Sequence, residues 1–416
     1  MSESTWYKTD NVAKVFLASF NRRDTRSMRV GCTLDQKVDP KILEQALMNT
    51  VSLRPQFQVR IRRGFFWHYI ETTDVKPVVR EETGRPCPLL YGNEYSGILH
   101  YQVTYYNKRI NLDMFHALSD GTGAFEFFNV LLGEYLKLAH PDTLSDITTG
   151  SGASDADLTQ DSYKQYYDKK ESTKHKAVKA YHPRGRKLPY DQLQFMEISM
   201  DCDKVRHMAK EMGVGLTGFF GALIMLSMYK DMPALLKKLP ITASIPVNLR
   251  KYFPSETSRN FFNSIHVSSV LKPEDTIQDI AKRIDVELKE NLQPEKIAEQ
   301  MDSYQKLERL LFIRMVPLIV KQPVVRYFSK QENKTVSFVI SNMGEIPINE
   351  RLKPYVEEVT AFCAHPELFF TLFSYGGRLK MGVSNAYSDT RTIKNLVRML
   401  SDMGLDITVN ATEVIR

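Results

Sequence analysis

Apolar and polar positions near the start of the chain follow first a strand period and then a helical period. Residues 28–38 alternate between apolar and polar side chains, as a strand does. Asp39 and Pro40 then begin a helix, because proline suits the first helical turn and apolar residues recur on one face after it. Helical spacing returns in residues 122–138. This pattern predicts strands that alternate with helices.

Two hairpins are predicted between these segments. Residues 56–70 indicate two strands that turn at Gly64, and residues 97–116 indicate two strands that turn near Asn107. Strands, helices and paired strands in this order are typical of an α/β fold with mixed sheets.

The second half of the chain begins a new set of elements after a change of composition. Residues 141–189 contain few aliphatic side chains, and acidic residues give way to basic ones along them. We interpret this segment as a surface crossover, with a mobile lid or a docking site for an anionic partner as the alternative. The predicted organisation is an N-terminal lobe over 1–140, a crossover over 141–190 and a C-terminal lobe over 191–416. The elements predicted after the crossover are strands at 195–200, 241–250 and 335–344, two strands within 368–384 that form a hairpin at Gly376 and Gly377, a buried core helix at 216–230, and further helices at 203–212, within 273–330 and at 390–402.

Composition excludes several classes of function. A net charge of +7 over 416 residues is too small to indicate a nucleic-acid-binding protein. The four cysteines form no paired spacing that would indicate zinc or a redox dithiol, so no metal site is predicted. The N-terminus lacks the apolar core of a signal peptide, and the most apolar run, 218–229, is shorter than the ~20 residues of a membrane helix. We expect a cytoplasmic protein without integral membrane association.

A short stretch recurs near the end of each half. Residues 106–120 (Y-N-K-R-I-N-L-D-M-F-H-A-L-S-D) and 375–389 (Y-G-G-R-L-K-M-G-V-S-N-A-Y-S-D) share tyrosine, arginine, alanine, serine and aspartate at equivalent positions. Both predict a hairpin turn, a strand, a short turn and a helix, which favours an internal duplication. The copies differ at His116, which is replaced by Asn385 in the second.

The histidine and the aspartate of the first copy have different explanations. Asp120 and its counterpart Asp389 both precede a helix, so helix capping accounts for an aspartate in each copy. His116 is not needed by the turn, and it continues the apolar strand face of Leu112 and Met114. We therefore expect His116 to point inward, as a catalytic base in a tunnel or, alternatively, as a hydrogen-bonded core histidine.

Two other spacings match known motifs but do not indicate a catalytic pair or a nucleotide-binding site. His207 and Glu211 have the spacing of His116 and Asp120 but belong to a highly charged helix, which indicates a solvated pair. Residues 213–218 (G-V-G-L-T-G) match the dinucleotide-binding fingerprint but follow a helix rather than a strand, so we expect no nucleotide cofactor of that kind.

Residues 116–121 (H-A-L-S-D-G) resemble the H-x-x-x-D-G signature of the chloramphenicol acetyltransferase-like superfamily, which includes condensation domains and alcohol acetyltransferase-like enzymes. Residues 6–14, 246–250 (P-V-N-L-R) and 341–344 (S-N-M-G) resemble further motifs of the bacterial alcohol acetyltransferase-like branch. The resemblance therefore covers most of the chain. The D-F-G-W-G motif of the plant BAHD enzymes is absent from the sequence, which argues against that branch.

The resemblance implies two related lobes around an active-site tunnel, with His116 at its middle as the general base. His116 would take the proton from an alcohol or amine as that group attacks a thioester, without a covalent enzyme intermediate. The same resemblance implies that Asp120 holds its loop through an arginine, for which Arg22, Arg23 and Arg250 are candidates. The residues assigned to the substrate-binding surface are Gly121, Asn248, Arg250, Ser341, Asn342 and Gly344, with Ser341 and Asn342 lining the tunnel or stabilising the oxyanion.

The resulting hypothesis is an acyl-CoA-dependent O-acyltransferase. It would act as a monomer on a small-molecule acceptor, with acyl-CoA as co-substrate and no tightly bound cofactor. One alternative takes its acyl group from an acyl carrier protein that docks on the basic part of the crossover, 164–187. Another is a noncatalytic homologue that only binds a ligand, against which the intact His116 and Asp120 argue.

Overall fold

The computed structural model describes residues 6–21, 24–92, 99–149, 154–166, 178–189, 192–309 and 315–412. The strands are β1 (Trp6–Lys8), β2 (Ser27–Leu34), β3 (Val59–Arg63), β4 (His68–Thr72), β5 (Val79–Glu81), β6 (Tyr101–Tyr106), β7 (Arg109–Phe115), β8 (Gln194–Asp201), β9 (Ile241–Asn248), β10 (Phe262–Ser269), β11 (Phe338–Glu345), β12 (Val356–Cys363), β13 (Leu368–Tyr375), β14 (Arg378–Asn385) and β15 (Thr408–Ala411). The helices are α1 (Asn11–Ser19), α2 (Pro40–Leu53), α3 (Gly121–Ala139), α4 (Pro141–Leu144), α5 (Asp155–Thr159), α6 (Ser162–Gln165), α7 (Cys202–Glu211), α8 (Leu216–Lys230), α9 (Ile277–Asn291), α10 (Pro294–Arg309), α11 (Leu318–Asn333) and α12 (Arg391–Asp402).

The described strands form three sheets. A five-stranded sheet has the order β12-β2-β7-β6-β5, a seven-stranded sheet has the order β10-β9-β11-β13-β14-β8-β15, and a small sheet has the order β1-β4-β3. Parallel and antiparallel pairs occur together in both large sheets. The predicted α/β class with mixed sheets is therefore confirmed.

Each large sheet has its own hydrophobic core, which divides the molecule into two lobes. Helices α2 and α3 pack beside the five-stranded sheet and contribute to the first core. Helix α8 lies in the second core and is almost entirely buried, because its apolar residues occur on all sides. This confirms the core helix predicted at 216–230.

Strand β12 crosses between the lobes. It lies late in the sequence but pairs antiparallel with β2, where Val359 is opposite Cys32 and Ala361 is opposite Val30. The five-stranded sheet of the first lobe is therefore completed by a strand from the range that we assigned to the C-terminal lobe.

The three predicted hairpins are confirmed. Strands β3 and β4 are joined around Gly64, and β6 and β7 are joined at Asn107, which has a φ of 53°. Gly376 and Gly377 join β13 to β14 with φ values of 56° and 75°, a conformation that glycine adopts without steric cost.

The crossover is described only in part. Its residues Leu144, Leu158 and Tyr163 are buried, and the Tyr163 hydroxyl accepts a hydrogen bond from the Phe262 amide at 3.0 Å. The basic part of the crossover, 164–187, is the predicted docking site for an acyl carrier protein. Four of its lysines lie outside the described residues: Lys169, Lys170, Lys174 and Lys176.

The described helices differ from membrane spans in length or in composition. None of them is alone both long and apolar enough to cross a bilayer, and only α7 and α8 together, with a bend of 86° between them, have the required length and composition. Within the same ranges, no three His, Cys, Asp or Glu side chains are grouped so that they could hold a metal ion.

Candidate active site

The segment 249–261, which we call the interlobe segment, joins β9 to β10 and reaches the N-terminal end of α3 in the first lobe. Its Phe261 amide donates to the Asp120 carboxylate at 2.9 Å, and its Ser258 carbonyl accepts a hydrogen bond from the Ser119 hydroxyl. The H-x-x-x-D-G motif therefore lies where the two lobes meet.

Asp120 links the cap of α3 to the interlobe segment. Its Oδ1 accepts the Gly123 amide at 3.1 Å, and its Oδ2 accepts the Arg250 guanidinium at 2.8 Å. Arg250 also donates to the carbonyls of Thr257 and Arg259, so it holds the interlobe segment in a closed turn. Both carboxylate oxygens are occupied by donors, which gives Asp120 a structural role.

Arg250 is the candidate arginine that the structure pairs with Asp120. The other two candidates, Arg22 and Arg23, lie outside the described residues.

Gly123 permits the close approach of the lobes. A Cβ at this position would lie 2.2 Å from Oγ of Ser119 and 2.4 Å from the Ser258 carbonyl oxygen. Both distances are far below van der Waals contact, so the second glycine of D-G-T-G is required by packing between α3 and the interlobe segment.

His116 lies directly after β7 and is held at three points. Its backbone amide donates to the Arg26 carbonyl at 2.7 Å, and its ring packs between Phe16, with centroids 4.8 Å apart, and Phe262, with centroids 5.6 Å apart. Its Nδ1 lies 3.2 Å from Oδ1 of Asn260. For the other ring nitrogen, Nε2, no hydrogen-bond partner is found among the described residues.

The hydrogen bonds of Asn260 determine the tautomer of His116. Nδ2 of Asn260 donates to the Asp10 carboxylate at 3.4 Å, and the same Asp10 oxygen accepts the Arg259 guanidinium at 3.4 Å. When Asp10 is ionised it can only accept, so the amide presents its NH₂ to Asp10 and its oxygen to His116. Nδ1 of His116 must then carry the proton, which leaves the lone pair on Nε2.

Burial lowers the pKa of His116 below its ordinary value of 6.5. The Asp120 charge and the Asn260 hydrogen bond act in the opposite direction, and the Arg26 charge lowers the pKa further. Burial dominates, so the imidazole is neutral at physiological pH and can accept a proton.

A cavity of about 720 Å³ lies between the lobes and contains His116 in its wall. The seven-stranded sheet opens beside it. Strands β9 and β11 are paired only at Ala243–Phe338 and Ser244–Val339, and beyond these pairs both strands line the cavity. The cavity is therefore bounded by both lobes and by the gap between these two strands.

Four of the six residues assigned to substrate binding line this cavity, and Arg250 and Gly344 are not among its lining residues. The four are Gly121, Asn248, Ser341 and Asn342. Arg250 is engaged by Asp120, and the amide of Gly344, whose φ is 73°, donates to Oδ1 of Asn342 at 3.0 Å.

The side chains of Asn248 and Asn342 make matching contacts. Asn248 donates to the Thr122 hydroxyl at 3.1 Å, and Asn342 donates to the Thr217 hydroxyl at 3.2 Å. Each threonine is the second residue of its helix, α3 or α8. Each asparagine thus connects a strand of the opened sheet to the first turn of a helix.

Asn260, Asp10 and Phe16 were not singled out as site residues from the sequence. Asp10 caps α1 by accepting the Ala13 amide at 2.7 Å, and α1 brings Phe16 onto the histidine ring. No spacing along the chain marks these residues, because their contacts with His116 connect distant parts of the sequence.

Other reactive side chains in the cavity are poorly suited to catalysis. Nδ1 of His365 already accepts the Glu367 amide at 3.1 Å, and burial lowers the pKa of His365 well below 6.5. Burial raises the pKa of the Cys363 thiol to about 12, so it is not a thiolate near neutral pH.

The second copy of the repeat uses its asparagine to hold the turn. Asn385 is buried, donates to the carbonyls of Tyr387 and Asp389, and accepts the Tyr387 amide at 2.9 Å. His116 makes no such set of bonds within its own turn, so the two positions have diverged in role.

No known family model matches the sequence, and no curated protein is significantly similar to it. Solved structures, in contrast, match over almost the whole chain. Polyketide synthase associated protein 5 from Mycobacterium tuberculosis is 13% identical, with 95% of this chain and 96% of that chain covered and a TM-score of 0.66. The trichothecene 15-O-acetyltransferase TRI3 from Fusarium sporotrichioides is 10% identical, with 95% of each chain covered and a TM-score of 0.62.

A third match is F. graminearum TRI101 in complex with coenzyme A and deoxynivalenol. It is 9% identical, with 97% of this chain and 99% of that chain covered and a TM-score of 0.63. At these identities the likeness establishes the fold. The chain has the two-lobed chloramphenicol acetyltransferase-like fold that the resemblance of its sequence implied.

Proposed function

We propose that the protein is an acyltransferase that moves an acyl group from a thioester to an alcohol or amine, with His116 as the general base. One observation carries the proposal. Nδ1 of His116 is held by Asn260, the residue lines the interlobe cavity, and Nε2 has no hydrogen-bond partner among the described residues, so the lone pair of a neutral imidazole is available to a bound acceptor. The acyltransferases with the same fold support this function.

The proposed reaction has two proton transfers at Nε2. As the acceptor oxygen or nitrogen attacks the thioester carbonyl carbon, its proton moves to Nε2 of His116. The tetrahedral intermediate then collapses and the carbon–sulfur bond breaks. The leaving thiolate takes the proton from Nε2 of His116. A histidine suits both steps because its unperturbed pKa of ~6.5 lies near neutral pH. The Ser341 hydroxyl, in the cavity wall, is the proposed donor to the oxyanion.

The reaction is proposed to be direct, without an acyl-enzyme. The Cys363 thiol stays protonated, and the Ser119 hydroxyl donates to the Ser258 carbonyl across the lobe boundary. Neither group is therefore prepared to attack a thioester.

Acyl-CoA is the proposed donor, and the gap between β9 and β11 is the proposed path for its thioester arm. The gap reaches the cavity at Pro246 and Ser341, on opposite strands. Coenzyme A is present in the complex of the F. graminearum protein. An acyl group on a carrier protein is the second candidate donor, favoured by the similarity to a polyketide synthase associated protein.

Release of free thiol tests the proposal. The full chain is incubated with acetyl-CoA or longer acyl-CoA and a panel of alcohols and amines, and thiol is measured with a chromogenic reagent. We expect release that depends on the acceptor, with the acylated acceptor detected by mass spectrometry. Thiol release only from a carrier-protein thioester would show that the donor is a carrier protein and not acyl-CoA. No release from either donor would contradict the acyltransferase function.

A further inference from the structure

An exposed apolar face runs along α11 beside the tip of the β3–β4 hairpin. The large side chains of this face are unusually accessible: Phe65 is 71% exposed, Ile319 70% and Phe328 65%. Val320, Val324, Tyr327 and Phe66 are also exposed. We call these seven residues the α11 face.

The hairpin tip and the helix form one continuous surface. The Leu318 amide donates to the Phe65 carbonyl at 2.8 Å, which fixes the first turn of α11 against the tip. The Lys321 ammonium donates to the Phe66 carbonyl at 3.1 Å and lies 4.2 Å from the Trp67 ring centroid. At 100° per residue, the five helical members of the face occupy about half of the circumference of α11.

Basic side chains border this face. A groove of about 310 Å³ is lined by Arg63, Arg326 and Lys330 together with Ile319 and Tyr327, and no acidic residue contributes to its described lining. Arg326 and Lys330 are four residues apart, so they lie on one side of the helix next to Ile319. The surface thus combines apolar side chains with a cluster of positive charge.

The opposite side of the helix belongs to the interlobe cavity. Ser329 is buried, and Ser329, Glu332 and Asn333 line the cavity. Helix α11 therefore separates the cavity from the exposed α11 face.

We propose that the α11 face is a docking surface for membranes that contain anionic phospholipids. The apolar side chains enter the boundary between headgroups and acyl chains, and the groove of Arg63, Arg326 and Lys330 receives the lipid phosphates. Large aromatic and aliphatic side chains with basic residues at their border are what such an interface requires. A second copy of the chain fits less well, because a symmetric contact would oppose the two basic grooves. The proposal goes beyond the acyltransferase function and does not depend on it.

Sedimentation with vesicles tests the proposal on the full chain. Vesicles of phosphatidylcholine alone are compared with vesicles of phosphatidylcholine and phosphatidylglycerol in equal amounts. We expect binding to the anionic vesicles and much weaker binding to the neutral ones. In Ile319→Ser with Phe328→Ser we expect roughly tenfold weaker binding or more. In Arg63→Gln with Lys330→Gln we expect binding to the anionic vesicles to weaken roughly fivefold for each removed charge, with no change on the neutral vesicles.

The matched control is Leu235→Ser with Val286→Ser, which removes exposed apolar side chains elsewhere in the molecule. This control should bind as the unmodified protein does, and all variants should keep its melting temperature. Equal sedimentation of the control and the Ile319/Phe328 variant would overturn the proposal, as would no binding by the unmodified protein. It would also be overturned by a dimer in analytical ultracentrifugation that the Ile319/Phe328 variant abolishes.

Discussion

Nδ1 of His116 lies 3.2 Å from Oδ1 of Asn260, although 144 positions separate the two residues in the sequence. The histidine follows a strand of the first lobe, and the asparagine belongs to the interlobe segment of the second. The orientation of the proposed base is therefore a property of the assembled lobes.

Substitution of Asn260 should change the pH dependence of the reaction. Asn260→Asp places a carboxylate beside Nδ1, which favours the imidazolium and raises the pKa of His116. We expect the acidic limb of kcat/KM to move to higher pH. Asn260→Leu should lower kcat about tenfold, because the tautomer is no longer fixed by a hydrogen bond. Profiles of kcat/KM against pH for both variants are the measurement, and an acidic limb that coincides with that of the unmodified protein would contradict the role of Asn260.

The unmodified protein should remain active below the pH at which free imidazole is half protonated. Burial lowers the pKa of His116, so its neutral, active form persists below pH 6.5. The unfolded chain binds this proton more readily than the folded one. The stability contribution of His116 is therefore present above pH ~6.5 and is lost as the pH falls toward the lowered folded pKa. NMR titration of the His116 ring, compared with the kinetic limb, measures the pKa directly, and a midpoint above 6.5 would contradict this prediction.

Asp120 should contribute more to stability than its counterpart in the repeat. Asp120→Ala removes the cap of α3 and leaves Arg250 without its carboxylate. We therefore expect the free energy of unfolding to fall by about 3 kcal/mol. Asp120→Asn keeps a capping oxygen and should lose less. The control is Asp389→Ala, which removes a more exposed pair with Arg391 and should lower the free energy of unfolding by clearly less than Asp120→Ala does. Urea denaturation measures all three, and equal losses for Asp120→Ala and Asp389→Ala would show that the interlobe contacts of Asp120 are unimportant.

Gly123 should tolerate no side chain. In Gly123→Ala the new Cβ would overlap Ser119 and the Ser258 carbonyl, so the lobes must separate or the interlobe segment must shift. We expect the free energy of unfolding to fall by about 1–3 kcal/mol, the usual cost of overpacking, together with lower activity. Gly84→Ala is the matched control, because no described atom lies within 4 Å of its Cβ position. A melting temperature of Gly123→Ala equal to that of Gly84→Ala would contradict the close packing.

The elements that the sequence predicted are those with a strong local signal. Asp39 caps α2, and Pro40 begins it; Gly376 and Gly377 form the β13–β14 turn. Asp120 caps α3, as expected, but the same expectation was wrong for Asp389, which lies one residue before the N-cap Thr390 and accepts the Arg391 amide. The solvated pair of His207 and Glu211 is also confirmed, since both side chains are largely exposed. In each case, the information lies within a few residues.

The contacts that build the candidate site could not be predicted in this way. Asn260 meets His116 only after β9, the interlobe segment and α3 have come together, and the sequence pattern did not identify β10 or α1. Strand β12 was missed for a related reason. Its partner, β2, lies more than 300 positions away, so its inclusion in the first sheet depends on the tertiary fold.

Acceptor-dependent release of thiol from acyl-CoA by His116→Ala shows whether this histidine is the general base. The matched control is His207→Ala, which removes an exposed histidine with the same spacing to an acidic residue. We expect turnover to fall about 10²–10⁴-fold in His116→Ala and to stay unchanged in His207→Ala, with both variants folded. A folded His116→Ala protein that keeps the turnover of the unmodified enzyme would rule out His116 as the general base.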